Sequence, residues 1–303
     1  MSAGDPQGDG STPLNDELLA WYRPRRRAFP WRRRHDAYAI LVSEVMLQQT
    51  QASRAAGAFV SFIERFSTVA QLAAAPRSVV VTMWGGLGYN RRAVALSRAA
   101  RVIADEHGGR VPKDPDSLRR LPGVGPYTAS AVASIAYGMP VPAIDTNVAR
   151  VVSRVQLGSE AHESSRADIA AAAEAWIHAP RPGDWNQAVM DLGREVCRPE
   201  PRCETCPLAA RCRFASDGRR PARPPTSSAT FEGSDRQVRG SVVRLLRSVR
   251  GRSVSLSTLV SRTGHPEARV AACVSALAAD GLIAAGDKAL RGEVSGRVRL
   301  HPG

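Results

Sequence analysis

At 303 residues with a formal charge of +14, the chain is long enough for two domains, or for one large domain with an appendage. Lys113 and Lys288 are its only lysines, so arginine carries nearly all of the excess, and an excess of that size points to a polyanionic partner. No run of about 18 apolar residues exists, so no membrane span is expected, and the N-terminus has no basic-then-apolar signal, which leaves a cytoplasmic protein.

In chain order, residues 1–13 read as a disordered lead, followed by a helix over 15–22 with Asn15 as its N-cap. A basic, proline-bounded loop then ends in Phe29-Pro30-Trp31-Arg32. Helical patterns over 37–54, 55–66, 78–84, 91–107 and 115–121 follow, almost without strand signals. A Pro-Gly-Val-Gly-Pro turn, Pro122 to Pro126, opens a helix over 127–137 that is rich in alanine and suited to close packing. Gly123 and Gly125 admit backbone conformations closed to other residues. With Val124 between them they leave bare N–H groups at a helix N-terminus, where an anion such as DNA phosphate binds. Helices over 146–156, 165–179 and 184–197 complete an all-α domain spanning 14–213. Residues 214–233 turn to Arg, Pro, Ser and Gly without apolar periodicity and read as a linker. Beyond it, helices over 235–250, 256–263 and 266–280 precede two β-like pieces, 282–285 and 297–300. That order suggests a small winged-helix-like domain over 234–303, with 266–280 as the groove helix; a protein-contact domain is the alternative.

Two carboxyl groups and a cysteine cluster carry the chemistry. Glu44 is the only ionisable residue between Tyr38 and Ser53, and at 3.6 residues per turn it shares a face with Ala37, Ile40, Leu41 and Gln48. A carboxyl among apolar neighbours loses hydration, keeps its proton near neutrality and becomes a proton donor; the alternative is a glutamate tied to an amide or an arginine. Asp145 stands at the start of a helix, where amide dipoles favour the anion, and a plain N-cap is its alternative role. The cysteines run Cys197-x5-Cys203-x2-Cys206-x5-Cys212, which in a reducing compartment means metal ligation and fits either tetrahedral zinc or a cubane cluster. Cys273, on an apolar helix face, reads as core.

LPGVGPYTA, with Asp145 about twenty residues on, resembles the helix–hairpin–helix of the DNA glycosylases related to endonuclease III. PWR at 30–32, SEVMLQQTQ at 43–51 and GLGYNRRA at 86–93 narrow the resemblance to adenine-DNA glycosylases of the MutY type. Together with the cysteines it spans Trp21 to Cys212.

The resemblance implies an all-α helix–hairpin–helix glycosylase fold, a six-helix barrel domain plus a helical iron–sulfur domain. It implies that Glu44 protonates adenine and helps position water, that Asp145 steadies the sugar cation, and that Asn147 orients the pair. Trp31, Arg32, Leu47 and Gln187 then line the adenine pocket, while Gln48, Gln49 and Tyr89 fill the space that an extruded base leaves. Where related glycosylases that also cut the backbone carry a Schiff-base lysine, this chain has Tyr127, so water is the expected nucleophile. A [4Fe–4S] cluster on the four cysteines is implied too, although the spacing from Cys197 to Cys203 is one residue shorter than usual. The implied partner is duplex DNA holding adenine opposite 8-oxoguanine or guanine, bound by a nucleoid-associated monomer. A thymine or uracil mismatch glycosylase and a noncatalytic DNA-binding protein are the competing readings. Gln48 and Gln49, where basic residues are expected in the mismatch enzymes, tell against the first. The 8-oxoguanine-reading, β-rich domain of many relatives has no counterpart in the helix-rich tail.

Overall fold

A computed structural model describes residues 12–34, 36–219, 232–249 and 252–302. Residues 1–11 of the expected lead and 220–231 of the expected linker lie outside the described residues. The chain is almost wholly helical up to residue 219. Helix α1 (Pro13–Tyr22) starts earlier than expected, because Thr12, not Asn15, is the N-cap: its hydroxyl accepts from Asn15 N at 3.3 Å. Asn15 is instead buried. Helix α2 (Ala37–Leu47) stops seven residues short of the expected end, and α3 (Ala52–Arg65) begins after a turn. Gln49 sits in that turn at φ 53°, left-handed backbone that no helix interior accepts. Gln48 therefore leaves the helical face it was expected to share with Glu44.

Next come α4 (Val69–Ala74), which the sequence reading left out, α5 (Arg77–Met83) and α6 (Arg91–Glu106). The hairpin pair is α7 (Pro115–Arg119), capped by Asp114, and α8 (Pro126–Tyr137), ended by left-handed Gly138. They are followed by α9 (Thr146–Val152), α10 (Arg166–Trp176), α11 (Pro182–Glu195) and the short α12 (Arg213–Ser216). The C-terminal order is α13 (Asp235–Ser248), β1 (Val254–Ser255), α14 (Leu256–Thr263), α15 (Glu267–Ala279), β2 (Ile283–Ala285), α16 (Asp287–Leu290) and β3 (Arg297–Leu300). The strands form one antiparallel sheet in the order β1-β3-β2, with Val254 opposite Val298 and Ala284 opposite Arg299. Two-residue β1 is too short to leave a period in the sequence, and it adds a third strand to the two β-like pieces expected there.

The chain divides into two compact units. The first comprises residues 1–44, 112–120 and 124–225. Its core is built where Leu18, Leu19 and Tyr22 of α1 meet Val148, Val151 and Val152 of α9 and Trp185, Val189 and Leu192 of α11. Trp176 and Trp185 pack edge to face, with ring centroids 5.4 Å apart. The second unit comprises residues 45–111, 121–123 and 226–303. In it α4 lies along α6, and Phe62, Phe66 and Trp84 form an aromatic cluster with centroids 4.9 and 6.0 Å apart. The C-terminal elements are tied into this unit by polar contacts: Arg77 Nη1 donates to Gly281 O at 3.1 Å, Arg247 Nη2 to Thr82 O at 3.1 Å, and Arg236 Nη1 to the Tyr89 hydroxyl at 2.6 Å.

Candidate active site

In the first unit Glu44 is only 5 % exposed, and its Oε2 is buried without a hydrogen-bond partner. Burial raises its pKa to about 7, against the opposing effects of a hydrogen bond from Tyr127 and the positive charge of Arg32; the nearby charge of Asp145 adds to the rise. The Tyr127 hydroxyl also lies 3.1 Å from Met190 Sδ. Its own pKa is pushed far up by burial and by the two acids, so it stays a neutral phenol. A protonated Glu44 can donate to that hydroxyl while the phenol proton turns to sulfur, so the acid keeps a partner in either charge state.

Asp145 is the N-cap of α9. Its Oδ1 accepts from Asn147 N at 2.8 Å and Val148 N at 2.7 Å, and its Oδ2 accepts from Asn147 Nδ2 at 3.1 Å. Three N–H donors are therefore gathered on this carboxylate, as an N-cap requires. Asn147 is held in turn by Arg150 Nη2 at 2.8 Å. Gly193 makes room for it: a Cβ there would sit 2.8 Å from Asn147 Cβ.

Around these acids the PWR segment forms a short 3₁₀ turn, Pro30–Arg33. Trp31 stacks on Phe29 at 4.9 Å with a 10° interplanar angle. Arg32 clamps Asp191 with two bonds of 2.9 and 3.1 Å and lies over the Tyr22 and Phe29 rings. Gln187 is buried and accepts from the Tyr22 hydroxyl at 2.9 Å. Asp191, Tyr22 and Met190 escaped the sequence reading. Asp191 is four residues beyond Gln187 on α11 and so shares its face, which is the one periodic signal available.

In the second unit Leu47 ends α2, Gln48 is half-buried with its Nε2 3.4 Å from Gly123 O, and Gln49 is exposed. Tyr89 also has left-handed backbone, φ 46°. One side chain, unremarked in the sequence, holds both turns. Arg92, 8 % exposed, donates to Val45 O, Met46 O and Gln48 O at the end of α2, to Thr50 Oγ1 and to Gly88 O. Burial lowers its pKa to about 10, yet it remains charged and spreads its five donors over carbonyls that a broken helix leaves open. In the hairpin only Gly123 is bound to be glycine: its φ is 80° and a Cβ would sit 2.7 Å from Ala95 Cβ. Gly125, at φ −88° with open space around it, caps α8 in a conformation any residue adopts, which corrects the expectation that both glycines are needed for backbone reasons. Val124 is buried.

The four cysteines border one cavity in the first unit, with an apolar wall of Val155, Leu192, Val196 and Phe214. Arg154, buried and paired with Glu160 at 2.7 Å, points Nη1 at Cys197 Sγ from 3.7 Å. Among the described residues no three His, Cys, Asp or Glu side chains converge on the position of a single metal ion. Cys273 is buried in α15, in the core position expected for it.

Residues 42–177 match the family described as HhH-GPD superfamily base excision DNA repair protein. The adenine DNA glycosylase of Mycolicibacterium smegmatis is 44 % identical over 233 residues, covering 76 % of this chain and 79 % of that protein. The human adenine DNA glycosylase is 40 % identical over 214 residues, 67 % of this chain but 39 % of its own length. Among solved structures, a thermostable thymine-DNA glycosylase superposes with a TM-score of 0.62 at 30 % identity, over 67 % of this chain and 94 % of that one.

Proposed function

The chain belongs to the adenine DNA glycosylases of the HhH-GPD base-excision-repair superfamily, and we propose that it hydrolyses the N-glycosidic bond of adenine paired with 8-oxoguanine or guanine through unequal roles for Glu44 and Asp145. The observation that carries the reading is Glu44: a buried carboxyl with an unpartnered oxygen and a pKa raised to about 7, within electrostatic reach of Asp145 and Arg32. Breaking the base–sugar bond places negative charge on the departing base and positive charge on the sugar. Glu44 gives its proton to the base and, once charged, orients water, while the capped Asp145 anion steadies the cation.

Tyr127 takes the place of an amine and acts through its hydrogen bond to Glu44. The two lysines, Lys113 and Lys288, are both exposed, which supports release of the base by water and no cleavage of the backbone. By the resemblance, Trp31, Arg32, Leu47 and Gln187 are the residues that receive the extruded adenine; within the first unit Asp191 fixes Arg32 for that role. Gln48, Gln49 and Tyr89, on the turns that Arg92 braces, enter the vacated stack. Gly123, Val124 and Gly125 take a phosphate at the start of α8.

Cys197, Cys203, Cys206 and Cys212 border one cavity and would hold the [4Fe–4S] cluster that the resemblance implies. When bound, the cluster would fix this loop and the arginines that flank it.

Single-turnover excision on A:8-oxoG, A:G, T:G and U:G duplexes tests the assignment. Adenine is released from the first two, thymine and uracil stay in place, and strand breaks arise only after alkali. Glu44→Gln lowers the adenine rate by roughly 10²–10⁴. A rate unchanged in Glu44→Gln removes the proton-donor role.

A further inference from the structure

Arg77, Arg91, Arg98, Arg101 and Arg299 of the second unit, like most of the described arginines, have no carboxylate within salt-bridge distance among the described residues. They lie near one another. Arg77 Nη1 and Arg98 Nη2 stand 3.0 and 3.2 Å from the point where a Cβ on Gly281 would sit, so two guanidinium groups share the space beside that glycine. Their repulsion, with Arg101, depresses the Arg77 pKa after the larger effect of burial, and Arg77, Arg299 and Arg98 likewise push down His301. Arg98 and Arg91 also line a cavity of about 440 Å³ whose wall includes Gln48, Gly123 and, from the end of α15, Ala279 and Asp280. The one carboxylate there, Asp280, is already paired with Arg239.

Clustered, unneutralised cations that repel one another in the free protein are a site awaiting an anion, and the cavity leads from them to the hairpin glycine. We propose that Arg77, Arg91, Arg98 and Arg299, with the cavity beside Gly123, bind the phosphodiester backbone of DNA, so that the C-terminal winged-helix elements supply part of the DNA-binding surface. The inference rests on the reading of the chain as a DNA glycosylase, but concerns affinity and not chemistry. Arg98 and Arg77 come from α6 and α5 and Arg299 from β3, so the site forms only where the C-terminal elements pack into this unit.

The test uses the full chain with Arg98→Ala, Arg299→Ala, the double variant and the matching lysine variants. Each is titrated with A:8-oxoG duplex across a salt series and assayed for single-turnover excision at saturating enzyme. Each lost phosphate contact lowers the slope of log K against log salt by about 0.9. The double variant therefore loses nearly two units of slope and binds at least tenfold more weakly at low salt, while lysine replacements retain most of the slope. The saturated excision rate stays at the wild-type value, which separates this proposal from the catalytic one. Thermal midpoints of the free alanine variants hold or rise, because repulsion is relieved. Unchanged slopes, lysine variants as weak as alanine ones, or a lowered midpoint in Arg98→Ala would each overturn it.

Discussion

At the scale of single residues, Glu44 makes the sharpest claim, because its proton affinity shows in both rate and stability. Only the protonated acid can give adenine a proton, so the excision rate falls as pH rises through about 7. The stability sign follows from the same shift. A carboxyl whose folded pKa lies above its unfolded value binds more protons when folded, so its burial costs nothing at low pH and grows unfavourable from about 4.5 to about 7. Glu44→Gln is thus expected to be the more stable protein at pH 8, by on the order of 3 kcal/mol, with the difference gone at pH 4. Denaturant titrations at the two pH values check it. Arg92 makes the opposite claim. It is a buried cation paired only with neutral acceptors, so Arg92→Ala uncaps the end of α2 and frees both left-handed turns at once. A loss on the order of 3 kcal/mol or more follows from the unpaired carbonyls, and Arg92→Lys does not restore it, because one ammonium cannot reach acceptors spread over two turns. Glu44 was legible in the sequence because a lone acid in an apolar run is visible there. Arg92 was not, since most of its partners are backbone carbonyls, three of them more than forty residues away, and a carbonyl has no letter in a sequence.

At the scale of elements, what the sequence shows and what it hides follow from how each boundary is made. Helices α6, α11, α13, α14 and α15 fall within a few residues of the periodic patterns, because one apolar face fixes each, whereas the four-residue α16 is too short to show a period. The break between α2 and α3 was missed, because no proline or glycine marks it. Gln49 takes up left-handed backbone only because Arg92 gathers the carbonyls on either side. The start of α1 was misplaced for a related reason: Thr12 and Asn15 both cap well, and burial of Asn15 decides between them. The cysteine loop belongs to this scale too. Its four thiols are plain from spacing, which leaves zinc and a cluster both open. Iron and acid-labile sulfide in near-equal amounts are expected in the purified protein, with little zinc. Cys203→Ser, at the exposed thiol, is expected to lower both and to shorten the life of the loop against protease. Zinc at one ion per chain without sulfide would reverse the assignment.

At the scale of the molecule, the question is what the C-terminal elements contribute beyond their own fold. They carry a core of their own, with Val238, Val242, Leu246, Leu259, Val270, Val274 and Leu277 all buried. Their ties to the rest of the second unit include arginine hydrogen bonds, from Arg77 to Gly281, Arg247 to Thr82 and Arg236 to Tyr89. Contacts of that kind are each worth about 0.5–1.5 kcal/mol net, against several times that for burying a hydrophobic seam. A chain ending at residue 233 is therefore expected to fold with its acids, hairpin and cysteines intact, but to unfold at a denaturant midpoint lower by a few kcal/mol of stability at most. Its DNA binding suffers more than its stability. It loses Arg299, the far wall of the cavity and the Arg236 bond to the Tyr89 hydroxyl. The predicted signature is a shallower salt dependence and a weaker complex, with excision at saturating enzyme reduced far less than in Glu44→Gln. The comparison separates two designs that sequence alone leaves equal. If truncation abolishes excision while the salt slope is unchanged, these elements hold the catalytic unit together and do not grip DNA. If the slope falls and saturated excision survives, they extend the surface on which the duplex lies.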